Sequence, residues 1–179
     1  MEKKIVRIIL FVALLFITKF CYAEDNVATP PSDGIYQLSE DVTIKFIIPK
    51  GWSINKTSTT AGQVIFWHNR FKINAQLMIG LGKCFDFNLK RMKEVTEKEW
   101  KKEKIEILES KIIDFVNVQA WSCTYIFRGS KIKRIDFCRA EQAFLIYFES
   151  SNDVFKELIA EVEEGLKTFT IISPAPKRP

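Results

Sequence analysis

The run Ala143-Phe144-Leu145-Ile146-Tyr147-Phe148 is apolar at every position, and it limits the folds open to this chain more than any other stretch. A half-buried strand alternates apolar and polar residues, whereas a strand without alternation has both faces covered. The run belongs to a series: Ile107 to Asp114, Gln119 to Phe127, Ile132 to Cys138 and Ala143 to Glu149 read as consecutive antiparallel strands. A helical stripe follows over Asp153 to Lys167, formed by Phe155, Leu158, Ile159, Val162 and Leu166, with Ser151 or Asn152 as its cap. The pattern predicts an α+β fold, an antiparallel β-sheet flanked by helices.

The first half is less regular. Ile35 to Leu38 reads as a short strand, and Val42 to Ile48 as a clearer one that Pro49-Lys50-Gly51 stops. Val64 to Trp67 and Lys72 to Leu81 read as strands around a loop at His68-Asn69-Arg70. Asn88 to Lys104 is highly charged, and Leu89, Met92, Thr96 and Trp100 recur at helical spacing on one face.

The ends carry different information. In MEKKIVRIILFVALLFITKFCYA, Lys3, Lys4 and Arg7 precede an apolar run, and Cys21 and Ala23 put small residues before a cut between Ala23 and Glu24. That is the layout of a secretory signal peptide over residues 1–23. The run is about half the roughly 20 apolar residues of a membrane span, so the expected product has no stable span after signal removal. Residues 24–34 read as a polar linker, 35–172 as a single domain and 173–179 as a disordered Pro-rich tail. The expected location is periplasmic or secreted, in a bacterium.

Removing the signal changes the electrostatics. The chain has 27 Lys+Arg and 22 Asp+Glu; four of those bases and one acid fall in the first 23 residues, leaving a net of +2. A near-neutral chain makes a poor general binder of nucleic acid, whose phosphates demand many cations. Outside the signal the cysteines are Cys84, Cys123 and Cys138. Export permits disulfides, and Cys123 with Cys138 is the expected pair. A Gly129-Ser130 turn would set them on a diagonal, whereas a four-residue loop would set them opposite each other; buried free thiols are the alternative. One histidine and no paired cysteine spacing give no metal motif, and no cofactor is expected.

The order of elements, with three short stretches, resembles the PsbP-like superfamily, which includes DcrB-type exported bacterial proteins. The stretches are Pro49-Lys50-Gly51-Trp52 after an early strand, the hairpin running into Ala143 to Ser150, and Phe155-Lys156-Glu157-Leu158 through Gly165 to Ile171. Thr168 stands where that family usually has serine. The resemblance implies an α/β/α sandwich used for binding, assembly or scaffolding, with no shared catalytic residues.

No catalytic constellation emerges from the residues themselves. His68 is the only histidine, no serine lies in G-x-S-x-G, and Gly80-Leu81-Gly82-Lys83 lacks the spacer and hydroxyl of a phosphate loop. The glycines there read as a strand exit with positive φ. Asn55-Lys56-Thr57 matches a glycan acceptor, which has meaning only in a eukaryotic secretory pathway. Two binding candidates stand out. Trp67, His68 and Arg70 put an aromatic and a cation on one loop, and Arg128, Lys131, Lys133 and Arg134 make a basic hairpin, with Lys131 and Lys133 on one face. The expected function is a non-catalytic binding or assembly protein of the bacterial envelope whose partner is another envelope protein. The alternatives are a small secreted enzyme using a cysteine or His68, and a carrier of an apolar ligand.

Overall fold

The computed structural model describes residues 27–28, 33–55, 62–84 and 87–172. The signal-peptide cut at Ala23 and Glu24 and the tail lie outside the described residues. The described residues form eleven strands and two helices: β1 Val27–Ala28, β2 Ile35–Gln37, β3 Thr43–Lys45, β4 Trp52–Asn55, β5 Gln63–His68, β6 Lys72–Lys83, α1 Leu89–Lys102, β7 Glu106–Phe115, β8 Val118–Phe127, β9 Ser130–Arg139, β10 Gln142–Ser151, α2 Asn152–Leu166 and β11 Thr170–Ile172. They form an eight-stranded sheet in the order β1-β4-β5-β6-β10-β9-β8-β7 and a three-stranded sheet in the order β11-β3-β2. Every strand pair is antiparallel.

Strands β7 to β10 form a meander through three two-residue turns, Val116-Asn117, Arg128-Gly129 and Ala140-Glu141, all at positive φ. Turns of that hand match the twist of paired strands. The doubly covered strand is β10, at the centre of the large sheet. Phe144, Ile146 and Phe148 are buried on one face, while Ala143, Leu145 and Tyr147 are half-buried on the other. The first face meets α2 and the small sheet. Its core includes Phe46, Phe66, Leu77, Phe137, Phe148, Leu158 and Phe169, with Phe137 stacked on Phe144 at 4.9 Å between ring centroids. The second face receives α1, which packs Leu89, Met92 and Trp100 around Trp121, Cys123, Tyr125 and Ile132.

Local chemistry explains the element ends. Asn88 caps α1 by accepting a hydrogen bond from the Arg91 N–H at 2.9 Å. Thr168 closes α2: its hydroxyl donates to the Gly165 carbonyl at 2.7 Å and accepts the Ile47 N–H at 2.8 Å, tying the helix end to the segment after β3. A serine hydroxyl at this position has the same reach as the threonine Oγ1 for both bonds. Gly165 lets this corner pack closely: a Cβ would sit 3.1 Å from Pro49 Cδ and 3.2 Å from the Ile47 carbonyl oxygen, so a larger residue needs both neighbours to give by a few tenths of an ångström. Gly80 and Gly82 differ from expectation: they lie inside β6, and neither has positive φ. A Cβ on Gly82 would make ordinary contact with the Ala143 side chain, 3.9 Å away.

Candidate functional site

Two regions hold the candidate residues. The first is a polar layer between α1 and the sheet, centred on Arg134. Its guanidinium donates twice to Asp136, at 2.6 and 2.7 Å, and both side chains are about nine-tenths buried. The same guanidinium lies 5.9 Å from the Trp100 ring and 5.7 Å from the Trp121 ring, near enough for a cation–π attraction to each. Burial opposes the charge, but Asp136 outweighs it and raises the Arg134 pKa. Trp121 Nε1 donates to Ser110 Oγ at 2.8 Å, and Ser110 donates in turn to Glu97 on α1. Tyr147 and Gln76 both donate to Glu149, at 2.9 and 3.2 Å. Cys123 sits within this layer, and burial, reinforced by Glu97, pushes its thiol up to about 12.

A nucleophilic thiol needs the opposite environment. It also needs a base. His68 on β5 and Cys123 on β8 are separated by β6, β10 and β9, a lateral distance of about 19 Å at ordinary strand spacing. Among the described residues no three His, Cys, Asp or Glu side chains gather as a metal site. Of the hydrogen bonds in the polar layer, Ser110–Glu97 joins β7 to α1, Trp121–Ser110 joins β8 to β7 and Gln76–Glu149 joins β6 to β10, while the Arg134–Asp136 and Tyr147–Glu149 bonds stay within one strand.

The disulfide differs from expectation. The bond joins Cys84 to Cys138, and Cys123 is free and buried. The β8–β9 turn is Arg128-Gly129, one residue earlier than Gly129-Ser130, so Cys123 faces Arg134. Cys138 is four positions further along β9, about 13 Å away. Cys138 instead lies beside Ala143 on β10, and Ala143 lies beside Gly82 on β6. The small residues Ala143 and Gly82 leave room for the bond to cross β10.

The second region is the end of the large sheet where β10 runs into α2. The β5–β6 and β8–β9 turns both open there, which brings Arg70 and Arg128 to the same end. His68 is not on the loop: it is the last residue of β5, only 9% exposed. It packs edge-on against Trp52 at 5.3 Å and beside Phe71 at 5.0 Å, and its Nδ1 accepts the Arg70 N–H at 3.3 Å. Gly51 explains the fit, since a Cβ there would meet His68 Nε2 at 3.3 Å. Trp67 is half-buried, and Arg70 is exposed, stacked on Phe71 and paired with Glu157 at 3.4 Å. Arg128 is exposed over Phe127.

The basic hairpin divides between the two faces of the sheet. Lys131 and Lys133 share the α2 face, with Lys131 over the Phe155 ring and Lys133 paired with Glu109. Arg134 points the other way into the polar layer. Alternation along β9 foretold that division, but not that Arg134 would be enclosed, because nothing local shows α1 folding over it. Asn55, the candidate glycan acceptor, is 2% exposed. No described helix is long and apolar enough to cross a membrane.

No family model matches the sequence, and no curated protein is significantly similar to it. Solved structures do share its shape. The solution structure of the cyanobacterial PsbP protein of Synechocystis superposes with a TM-score of 0.52 at 9% identity, covering 87% of this chain and 99% of that one. LpqN of Mycobacterium tuberculosis, a protein involved in cell envelope biogenesis, gives 0.53 at 12% identity, covering 83% and 90%. The Ran-binding protein Mog1p of Saccharomyces cerevisiae gives 0.51 at 10% identity, covering 78% and 96%. With its central antiparallel sheet, α2 on one face and α1 on the other, the chain has the PsbP-like fold.

Proposed function

We propose that the protein is an exported, non-catalytic binding or assembly factor of the bacterial envelope. It docks an acidic surface of another envelope protein through the sheet end that carries Trp67, Arg70 and Arg128. The observation that carries this reading is the placement of the cations. Arg70 and Arg128 both stand exposed at one end of the sheet, about three strand spacings or 14 Å apart. An acidic protein surface can bridge that span. Lys131 stands behind them on the α2 face. His68 Nδ1 accepts the Arg70 N–H, while Lys133 and Arg134 lie on opposite faces of β9, each paired with a carboxylate.

The signal-like N-terminus supports export, and the likeness in fold to LpqN supports an envelope role. The polar layer supports a role without catalysis, since Glu97, Asp136 and Glu149 are each bonded to Ser110, Arg134 and Tyr147 and burial raises the pKa of its thiol.

Crosslinking in intact cells, followed by capture from the envelope fraction at graded salt, tests this. The expected result is a specific crosslinked protein whose yield falls as salt rises and drops about tenfold or more in Arg70→Glu/Arg128→Glu. Unchanged capture by that variant, or capture independent of salt, would count against the proposed surface.

A further inference from the structure

Strand β7 ends the large sheet, and among the described residues no strand pairs with its outer edge. It is ten residues long, long enough to act as a template for another strand. Two of the exposed large apolar side chains lie on it, Leu108 at 43% and Ile112 at 40%. Glu109 and Lys111 are also exposed, at 47% and 54% of the side chain, and they lie on the opposite face of the strand from Ile112.

We infer that β7 pairs with β7 of a second copy of this chain, antiparallel and centred on Ser110, joining two large sheets edge to edge. The register follows from the charges. In an antiparallel pair of identical strands whose faces stay continuous, a residue must oppose itself at the centre. Centring on Glu109 would oppose glutamate to glutamate, and centring on Lys111 would oppose lysine to lysine. Centring on Ser110 sets Glu109 against Lys111 of the second copy, and Lys111 against its Glu109. The same register sets Leu108 against Ile112, twice, on the other face. Counting back by twos from Ile112 through Ser110 assigns Leu108 to the Ile112 face, and the irregularity between Ile107 and Glu109 marks the end of the regular ladder on that side. The pairing ends there, because beyond it Asp114 would oppose Glu106.

The geometry accommodates both copies. The two-fold axis runs perpendicular to the sheet, so both copies of α1 lie on one side. Each α1 rests mainly on β8, and two β8 strands would stand about 14 Å apart, more than the 8–10 Å of packed helices. The sheet end that carries Arg70 and Arg128 stays outside this contact, so self-pairing and partner docking are independent.

Light scattering coupled to size exclusion, on the purified protein and two charge-reversal variants, tests the inference. The natural chain is expected to be a dimer at micromolar concentration. Lys111→Glu opposes Glu109 with glutamate and Glu109→Lys opposes Lys111 with lysine. Each variant should remain folded by circular dichroism and weaken the dimer about tenfold or more. An equimolar mixture of the two variants restores both opposite-charge pairs and should recover the dimer. A monomeric natural chain, a dimer indifferent to both variants, or folded variants that do not recover on mixing would each overturn it.

Discussion

Arg134 carries a full charge into a space that α1 closes off from water. Taking an ion pair out of water costs several kcal/mol per ion, and the cost is recovered only when geometry is good and every remaining donor is satisfied. Here Asp136 accepts two short bonds from one side of the guanidinium, and two indole rings lie within 6 Å of it. Deleting one partner strands the other. Arg134→Met is therefore expected to destabilise the fold by about 3 kcal/mol or more, and Asp136→Leu by a similar amount. The double variant, which removes both charges and fills the space with apolar atoms, should cost less than the sum of the two. Urea unfolding of the four proteins measures this cycle. Strict additivity would mean that the two side chains do not act as a pair. Cys123 shares the enclosure, and burial raises its pKa above that of a free thiol.

Among the secondary elements, α1 depends most on polar contacts. Its apolar stripe is narrow, and a hydrogen-bond chain from Glu97 through Ser110 to Trp121 fixes it to β7 and β8. Burial raises the Glu97 pKa, but the bonds from Ser110 and Lys93 together with the charges of Lys93 and Lys101 outweigh it, so its pKa lies below the ordinary 4.5. A carboxylate depressed in the folded state contributes stability that is fully present above its unfolded value and lost as pH falls through its folded value. The α1 packing should therefore loosen below about pH 4.5. Near-ultraviolet circular dichroism, which senses the Trp100 and Trp121 surroundings, follows that loss. Glu97→Gln should show a weaker signal already at neutral pH and a smaller change between roughly pH 6 and pH 3; an unchanged acid transition would assign it to other carboxylates. The helix itself was legible in the sequence, because Leu89, Met92, Thr96 and Trp100 recur on one face. So were the four meander strands and α2. The polar layer beneath α1 was not, because Glu97, Ser110, Trp121 and Arg134 come from four elements and meet only through tertiary packing. Periodicity likewise could not reveal that β2, β3 and β11 leave the large sheet to form their own. The placement of His68 was missed because Gly51 and Trp52 reach it only through the pairing of β4 with β5, which periodicity does not show.

At the scale of the whole molecule, one covalent bond decides which parts of the fold can separate. Cys84 and Cys138 are 54 residues apart, and the loop they close contains α1, β7, β8 and nearly all of β9. That loop holds Glu97, Ser110, Trp121, Arg134 and Asp136 of the polar layer and the free sheet edge, while Gln76, Tyr147 and Glu149 lie outside it. The core on the other face is built also from β2, β3, α2 and β11, which lie outside the loop, so it keeps much of its packing when the bond is cut. Closing a loop of this length removes unfolded-state entropy worth about 4 kcal/mol in the simplest chain model. Reduction is therefore expected to lower the melting temperature by on the order of 10 °C. Cys84→Ser/Cys138→Ser should match the reduced protein and no longer respond to reductant. Cys123→Ser should keep its full response, because that thiol takes no part in the bond. Amide exchange adds a spatial reading: protection should fall first in α1 and β7, whose tether to the sheet is lost, and later in β6 and β10, which both faces of packing cover. Three titratable thiols in the unfolded, unreduced protein would refute the bond, and equal loss of protection in all four elements would refute the division of the fold.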